Sequence, residues 1–406
     1  MTLADTLLKL TANAESRTTP SSSTLQRVRE LTPAIRQRSD EIENARRIPL
    51  DLVAELRSAG CFRMHVPLAY GGDDLALTEA LEIVEQLAYA DGSTGWTIMI
   101  GCHTPVLFGL LPKSTFEVIY ARGPDVIGAG SLAPKGQAVP VDGGYRVSGQ
   151  WSFASGCQHA EWIVAHATVI DHGEPRLLPG GMPDMVVAVL PVSDVEIIDT
   201  WRVAGMLGTG SHDVRVEDTY CPAERTFRLF GSAPSVDAAI LAIPPLLVTA
   251  IHQAAVALGV ARAALDDITD LARGAKRRLF AVNRLAQSAV FQDELGRADT
   301  TLRAARALLH ADAGAAWDKA IRREAFSPLD GARLRATAAQ VMRMAIQVVD
   351  MAYTAGGGTS IYASSPLQRR LRDIHVQSQH IAVSRDAFGV VGTLLAGEQL
   401  DPRHPL

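Results

Sequence analysis

The sequence predicts a mainly α-helical protein with a β domain in the middle of the chain. Between residues 25 and 112, apolar side chains recur at the three- and four-residue spacing of amphipathic helices. From 126 to about 225, short segments rich in Val, Ile, Tyr and Trp are separated by glycine-rich turns, as in antiparallel strands. From 239 to 396, long stretches rich in Ala, Leu and Arg are each long enough for a helix of a bundle.

These changes in composition and apolar spacing divide the chain into four parts. We expect a disordered tail at 1–24, which contains the serine run 21–23, then a helical domain at 25–125, a small antiparallel β domain at 126–238 and a helical bundle at 239–406. Within the bundle, the pattern predicts long helices at 246–271, 279–317 and 332–355.

Composition narrows the class of function. The 406 residues carry a formal net charge of -5 without a block of Lys and Arg, which excludes an electrostatic site for nucleic acid or acidic membranes. The four cysteines are scattered, so neither a disulfide framework nor a metal site is indicated. The N-terminus lacks signal-peptide features, and no apolar run reaches the roughly 20 residues that span a bilayer. We therefore expect a soluble, cytoplasmic protein that acts on a small molecule.

Several motifs, in one order, resemble the acyl-CoA dehydrogenase superfamily. They are FRMHVPLAYGG at 62–72, GGYRVSGQWSFASG at 143–156, WRVAGMLGTGSHDV at 201–214, and AGGG at 355–358 followed by Arg372 and Asp373. The resemblance covers residues 25 to 395. It implies that superfamily's fold, with an N-terminal helical domain, a small β domain and a C-terminal helical bundle, and it implies a bound flavin.

The segment 151–156 is the first candidate flavin site. Alternation along a strand would place Trp151, Phe153 and Ser155 on one face, and the resemblance implies that this face contacts the isoalloxazine. The Ser155 hydroxyl could then donate to a ring nitrogen, and Gly156 would let the backbone approach the ring. Taken without the resemblance, the same residues also fit a strand whose rings fill a core.

Two further pairs are candidate flavin ligands by resemblance alone. Arg277 and Gln292 match positions that hold flavin across a subunit interface, although Ala281 stands where the family has glycine. Gly357 and Gly358 match a turn that approaches the cofactor of the partner subunit. The resemblance thus implies a homotetramer with flavin sites at subunit interfaces.

The catalytic base of the dehydrogenases is missing. They remove a proton with a glutamate, either shortly after the Arg-Asp element or on the first helix of the bundle. Here no carboxylate occurs between Asp373 and Asp386, and no glutamate between Glu224 and Glu294. His380 lies after the Arg-Asp element instead, an imidazole that can titrate near neutral pH.

This pattern resembles the oxygenase components of two-component flavin-dependent monooxygenases. These take reduced FMN or FAD from a separate NAD(P)H:flavin reductase, react it with O2 to a C4a-hydroperoxyflavin, and oxygenate a small substrate. We expect His380 and Ser155 to hold the hydroperoxide, and His380 with His103 to deprotonate a phenolic or polycyclic aromatic substrate.

Besides aromatic hydroxylation, the sequence leaves four functions open: N-hydroxylation, S-oxidation, an acyl-CoA dehydrogenase or oxidase with an atypical base, and a flavin-binding protein without catalysis. The sequence motifs do not separate them, because residues outside the motifs choose the substrate.

Overall fold

The structure, a computed structural model, describes residues 23–274, 276–277 and 282–400. The predicted tail therefore lies almost wholly outside the described residues. Its last two residues, Ser23 and Thr24, begin the first helix.

From Ser23 onward, the described N-terminal part contains seven α-helices. They are α1 (Ser23–Gln37), α2 (Ser39–Ala45), α3 (Leu50–Ala59), α4 (Leu77–Ala90), α5 (Gly92–Cys102), α6 (Thr104–Phe108) and α7 (Lys113–Tyr120). Helix α5 is buried along nearly its whole length. Its start is fixed by Asp91, whose carboxylate accepts a hydrogen bond of 2.8 Å from the backbone N–H of Thr94.

One twisted sheet occupies the middle of the chain. Its strands are β1 (Gly128–Val141), β2 (Gly144–Trp151), β3 (Trp162–Asp171), β4 (Glu174–Pro175), β5 (Met185–Pro191), β6 (Glu196–Ile198), β7 (Asp213–Pro222) and β8 (Thr226–Phe227). The order is β6-β7-β2-β1-β3-β5-β8, with β4 paired to β3.

The sheet departs in one pair from the purely antiparallel arrangement that the sequence pattern predicts. Strands β1 and β3 pair in parallel, whereas β1 with β2, β2 with β7 and β3 with β5 are antiparallel. The cause is the connection 152–161, which carries the chain from β2 past β1 to the opposite edge of β1. This crossing loop contains Ser155 and Gly156 and directs them toward helix α5.

Five α-helices follow the sheet among the residues that the structure describes. They are α8 (Pro245–Arg273), α9 (Ala289–Ile321), α10 (Pro328–Gly356), α11 (Pro366–Gln377) and α12 (Asp386–Leu395). The predicted helix 279–317 begins too early: residues 279–281 lie outside the described residues, and residues 282–288 form a loop with a short turn before α9. Ser288 then caps α9 by accepting from the N–H of Phe291.

Helix α8 is the central rod of the molecule and packs against α4 and α10. A Cβ on Gly259 would lie 2.3 Å from the carbonyl oxygen of Glu85, so glycine is required for this close approach to α4. Against the sequence expectation, α8 is long and apolar enough to cross a membrane by length and composition, but 83% of its most apolar window is buried inside the fold. That burial is typical of a core helix.

Candidate active site

Trp96 of α5 begins a chain of hydrogen bonds that runs from this helix to two loops of the β domain. Its indole N–H donates to Oγ of Ser155 at 3.0 Å, and Ser155 lies 2.7 Å from Oγ of Ser211. Ser211 in turn lies 2.7 Å from Oγ1 of Thr209, which donates to the carbonyl oxygen of Met206. Because a carbonyl only accepts, each hydroxyl in the chain gives its proton to the next one.

The direction of these hydrogen bonds limits what Ser155 can do. The hydroxyl accepts from Trp96 and gives its proton to Ser211, so in this arrangement it is not free to donate to a flavin nitrogen. It keeps a lone pair with which it can accept. The neighbouring Gly156 has φ of 74°, and a Cβ there would lie 3.3 Å from Cγ2 of Thr97. The turn thus suits glycine and lies against α5.

The expected common face for Trp151, Phe153 and Ser155 is wrong. Strand β2 ends at Trp151, which is 1% exposed and donates its indole N–H to the carbonyl oxygen of His166, inside the β domain. Phe153 has φ of 68°, which breaks the alternation, and its ring is 66% exposed. Trp151 therefore offers no open face, whereas Phe153 projects beside the loop with its ring edge-on to Trp201.

His380 lies against the other side of Trp96. It follows α11, outside the helix, and begins the short turn Ile381–Val383. The two rings meet edge to face with centroids 5.7 Å apart. Burial lowers the pKa of His380 to about 4, so the imidazole is neutral at pH 7.

Nδ1 of His380 receives two donors. The backbone N–H of Ala382 is 3.1 Å away, and the side-chain amide nitrogen of Gln253 on α8 is 3.0 Å away. Gln253 accepts at its own backbone carbonyl from Gln377, at 2.7 Å. No hydrogen bond joins Nε2 of His380 to another group in the part of the chain that the structure describes.

His103 caps the far end of α5 and belongs to a buried group of three histidines. The ring of His252 meets the ring of His103 at 4.5 Å, edge to face, and Nε2 of His252 lies 3.2 Å from Nε2 of His65. Nδ1 of His252 faces the carbonyl oxygen of Val248, so this nitrogen carries the proton. His65 must then donate to His252, and a single proton satisfies the pair.

The histidine group is held neutral. Burial lowers the pKa of His252 to about 4 and lowers those of His65 and His103 well below the usual value, with His252 adding to the effect in both. His65, Cys102 and His252 offer ligand atoms within 4.8 Å of one another, a set that could accept a soft divalent cation. However, the thiol of Cys102 donates to the carbonyl of Met99, and the shared proton accounts for the histidine pair.

Several polar atoms near these side chains lack a hydrogen-bond partner. Of the twelve such buried atoms among the described residues, five lie here: Nδ1 of His65, Oγ1 of Thr97, Nε2 of His103, and Oε1 of Gln253 and of Gln377. Native proteins rarely leave such atoms unsatisfied unless a ligand or water completes them. Four of the five lie on α5, α8 and α11 or at the end of α5, and His65 follows α3, which fits a site for a bound molecule with polar groups.

The Arg-Asp element supports the loop that ends the hydroxyl chain. Arg372 donates to the carbonyl of Ala204 at 2.7 Å, and Oδ1 of Asp373 accepts from the N–H of Met206 at 2.6 Å. Burial raises the pKa of Asp373 to about 7, and nearby Asp91 adds to this. Since this carboxyl group is engaged beneath the loop, it is placed to anchor the loop rather than to reach a substrate.

The remaining predicted flavin ligands lie elsewhere on the surface. Arg277 is exposed, and the amide of Gln292 donates to the carbonyl of Ala286 in the loop before α9. Gly357 has φ of 56°, and neither Gly357 nor Gly358 has an atom within 4 Å of a Cβ placed on it. These four residues are not brought together with Ser155 and His380 by any contact within the described parts of the chain. Ala281 lies outside the described residues.

Sequence reasoning missed Trp96, His65, His252 and Gln253. One feature of the sequence could have indicated them: His252 and Gln253 are adjacent in the apolar stretch 245–265. Polar side chains on an otherwise apolar helix need buried hydrogen-bond partners. Those partners lie far away in the sequence, 187 residues for His65 with His252 and 127 for Gln253 with His380.

Comparison with known protein families agrees with the architecture. Residues 23–112 match the family model "Acyl-CoA dehydrogenase, N-terminal domain", and residues 251–385 match "Acyl-CoA dehydrogenase, C-terminal domain".

Curated relatives resemble almost the whole chain. An indole-3-acetate monooxygenase from Pseudomonas putida is 32% identical over 90% of this chain and 91% of its own length. The oxygenase subunit HsaA of a flavin-dependent monooxygenase from Rhodococcus jostii is 32% identical, covering 91% and 97%. The oxygenase component of an FADH2-dependent resorcinol hydroxylase from a Rhizobium species is 28% identical, covering 96% and 97%.

Solved structures of the same kind superimpose closely. The 3-HSA hydroxylase from Rhodococcus sp. RHA1 has a TM-score of 0.87 at 29% identity, covering 94% of this chain and 98% of its own. XiaF from a Streptomyces species, in complex with FADH2 and glycerol, has a TM-score of 0.88 at 25% identity, covering 95% and 97%.

Proposed function

Because this chain belongs to the flavin-dependent monooxygenases that share the acyl-CoA dehydrogenase fold, we propose that it is the oxygenase component of a two-component hydroxylase for a small phenolic or polycyclic aromatic substrate. The enzyme uses reduced flavin. In this proposal the flavin arrives by diffusion from a separate NAD(P)H:flavin reductase. The names of the relatives, among them a resorcinol hydroxylase and an indole-3-acetate monooxygenase, support an aromatic substrate.

The observation that carries the proposal is the set of unpartnered polar atoms around the neutral histidines. A ligand that brings O–H or N–H groups would satisfy them, and the apolar side chains of α5 and α8 match an aromatic ring in polarity. A dehydrogenase base is not found among the described residues of this site, since the carboxyl group of Asp373 accepts from Met206 and that of Asp91 accepts from Thr94.

The proposed reaction balances with one substrate, one O2 and one reduced flavin. Bound reduced flavin would supply two electrons, and one oxygen atom of O2 would enter an aromatic C–H bond as a hydroxyl group. The other oxygen atom would leave as water, and oxidised flavin would remain. In this scheme His103 accepts a proton from the substrate hydroxyl and so makes the ring more nucleophilic, while His380 and Ser155 contact the flavin and its bound oxygen.

In this proposal the flavin lies against the loop that contains Phe153, Ser155 and Gly156. Reduced flavin carries an N–H on its central ring, and Ser155 has an acceptor lone pair but no free proton. Phe153 is exposed and could cover a ring from the side, whereas Trp151 is left out of the proposed site because its ring is enclosed. Arg277, Gln292, Gly357 and Gly358 are proposed to meet the flavin across a subunit interface.

A homotetramer is part of the proposal. Helix α12 is strongly apolar in sequence, yet only Ala387 along it is buried. Ile361 and Tyr362 before α11 and Ile381 before α12 are exposed as well. Exposed apolar groups of this density are typical of protein interfaces. Analytical ultracentrifugation of the full chain tests it, and a monomer at micromolar concentration would exclude flavin sites between subunits.

The decisive experiment is an anaerobic titration with reduced FMN and with reduced FAD, followed by a pulse of O2. We expect tight binding of reduced flavin and the absorbance of a C4a-hydroperoxide, which decays faster when a phenol is added and yields the hydroxylated product. A protein that instead retains oxidised FAD and is reduced by an acyl-CoA would be a dehydrogenase. Absence of both reactions would favour a flavin-binding protein without catalysis.

A panel of substrates then distinguishes aromatic hydroxylation from N-hydroxylation and S-oxidation. Phenols, indoles, amines and thioethers are offered to the preformed hydroperoxide, and products are identified by mass spectrometry. Oxygen found only on nitrogen or sulfur would replace the aromatic hydroxylation proposed here.

A further inference from the structure

The side chain of Gln253 lies on the long, mostly buried helix α8. Among the buried residues of α8, His252 and Gln253 are the two with polar side chains, and both are fully buried. Burying an amide without full hydrogen bonding costs roughly 1 to 3 kcal/mol in proteins. Gln253 nevertheless leaves Oε1 unpartnered and uses its amide N–H on His380 alone. This arrangement favours a function for that contact.

The backbone of the turn fixes the first part of the geometry. The N–H of Ala382 can only donate, and it points at Nδ1 of His380 from 3.1 Å. Nδ1 must therefore present a lone pair. A neutral imidazole carries one proton, so this proton lies on Nε2.

The same reasoning fixes the amide of Gln253. If the amide were flipped, Oε1 would face a nitrogen that already presents a lone pair, and two acceptors would repel each other at 3.0 Å. The orientation with the amide nitrogen toward His380 is the one that forms a hydrogen bond. The Gln377 amide, which donates to the backbone carbonyl of Gln253, ties α11 to this point of α8.

We propose that Gln253 is a positioning residue that, together with the N–H of Ala382, holds His380 in the tautomer protonated at Nε2. His380 then acts as a fixed hydrogen-bond donor beside Trp96 and has no lone pair free to act as a base. The tautomer does not depend on the proposed function, whereas its use in oxygen transfer rests on it.

As a consequence, His103 and His380, which we expected to act together as bases, have different roles. His103, whose Nε2 is buried and unpartnered within the described residues, keeps the role of proton acceptor. His380 gives up that role and donates its Nε2–H to an acceptor in the site, such as an oxygen atom bound to flavin. One well-placed donor of this type contributes about 100- to 1,000-fold to a rate.

The tautomer can be observed directly. In deuterated protein with ¹⁵N-labelled imidazoles, long-range ¹H–¹⁵N correlation distinguishes Nδ1–H from Nε2–H, and the His380→Asn variant identifies the signal. We expect Nε2–H in the wild-type enzyme at pH 7. In Gln253→Glu, which has the same shape but offers an acceptor, we expect a proton to appear on Nδ1. A wild-type signal from Nδ1–H, or an unchanged signal in Gln253→Glu, would overturn the proposal.

Matched variants separate positioning from folding. Gln86→Glu makes the same change in the N-terminal domain, where the Gln86 amide donates to Thr32, and it should leave the His380 signal unchanged. Gln253→Met removes one of the two donors without adding an acceptor, so a minor share of Nδ1–H should appear while the Ala382 N–H keeps Nε2–H as the larger share. If Gln253→Glu fails to fold, a shift in Gln253→Met toward mixed tautomers is the supporting result, and a sharp wild-type signal contradicts it.

The kinetic readout is independent of the spectrum. With reduced flavin and a phenol, Gln253→Glu should lose about 100-fold in oxygen transfer and release hydrogen peroxide instead, while it still binds reduced flavin. An unchanged yield of product would refute the use of His380 as a donor. If the spectrum is as expected but the wild-type enzyme hydroxylates none of the substrates, the proposed function fails and the tautomer stands.

Discussion

The positions of the protons at the site are fixed by backbone carbonyl groups, which can only accept hydrogen bonds. The Met206 carbonyl can only accept, and it sets the direction of the hydroxyl chain through Thr209 and Ser211 to Ser155. The Val248 carbonyl does the same for the pair formed by His252 and His65. At the scale of single residues, function therefore depends on the backbone groups next to the polar side chains.

Ser211→Ala should change the preference of the site between the two redox states of flavin. Without Ser211, the proton of Ser155 is released, and Ser155 can donate to the bare ring nitrogen of oxidised flavin. We expect the ratio of Kd for oxidised flavin to Kd for reduced flavin to fall by about fivefold, the value of one hydrogen bond of about 1 kcal/mol. Anaerobic and aerobic fluorescence titrations measure both constants.

Ser193→Ala serves as the control, since its hydroxyl is exposed and donates to Asp194. A ratio that stays constant in Ser211→Ala would mean that Ser155 does not contact the flavin through this hydrogen bond.

His103→Gln should remove the proton acceptor for the substrate. At pH 7 hydroxylation should fall by about 100- to 10,000-fold. The rate should recover as the pH approaches the pKa of the free phenol, about 10, because solvent then supplies the phenolate. A pH profile of single-turnover hydroxylation with preformed hydroperoxide tests this. His375→Gln, at an exposed histidine paired with Asp350, should match the wild type, and a His103→Gln deficit that persists at high pH would exclude the base role.

At the scale of secondary-structure elements, the site consists of loops whose positions are fixed by helices distant in the sequence. The loop between β6 and β7 provides Met206, Thr209 and Ser211, and helix α11 holds it through Arg372 and Asp373. The crossing loop between β2 and β3 provides Ser155 and Gly156. The hydroxyl chain joins the two loops to α5, so a shift in either loop breaks it.

Gly205→Ala should therefore damage both stability and flavin binding. A Cβ at this position would lie 2.4 Å from the carbonyl carbon and oxygen of Arg372, which are backbone atoms and cannot move aside cheaply. We expect a loss of about 2 kcal/mol or more in the free energy of unfolding, measured by urea denaturation. Gly296→Ala, where no atom lies within 4 Å of the added Cβ, is the control and should be neutral or slightly stabilising. Equal stability of both variants would contradict the packing of this loop against α11.

The whole molecule holds an unusual number of neutral buried histidines, and this should make it sensitive to acid. The pKa values of His252 and His380 are about 4, and those of His65 and His103 are also depressed by burial, whereas the unfolded chain titrates near 6.5. Below pH 6.5 the unfolded state binds protons that the folded state does not bind. Their contribution to stability is therefore lost as the pH falls from 6.5 toward 4.

The carboxyl group of Asp373 has the opposite effect on the free energy of unfolding as the pH falls. Its pKa is raised to about 7, so the folded state binds its proton first as the pH falls, which adds stability between pH 7 and about 4. Four histidines outweigh one carboxyl group, and we expect the free energy of unfolding to drop by on the order of 4 kcal/mol between pH 7 and pH 5. Urea denaturation at the two pH values measures this, and equal midpoints would show that the histidines are not held neutral.

Local patterns were sufficient for the architecture. Periodicity predicted the helical, β and helical order, and the motifs identified the superfamily fold. The start of α9 and the parallel pairing of β1 with β3 were missed, because a serine cap and a strand crossing depend on hydrogen bonds that periodicity does not encode.

For the site, the sequence by itself determined which chemical groups are available: histidines at 103 and 380, a hydroxyl at 155, and no glutamate where a dehydrogenase has its base. Only the tertiary structure decided what those groups can do. It enclosed Trp151, turned Ser155 into an acceptor, paired His65 with His252 and placed Gln253 on His380. The physical reason is that the position of a proton depends on the partner across the hydrogen bond, and these partners come from segments far apart in the chain.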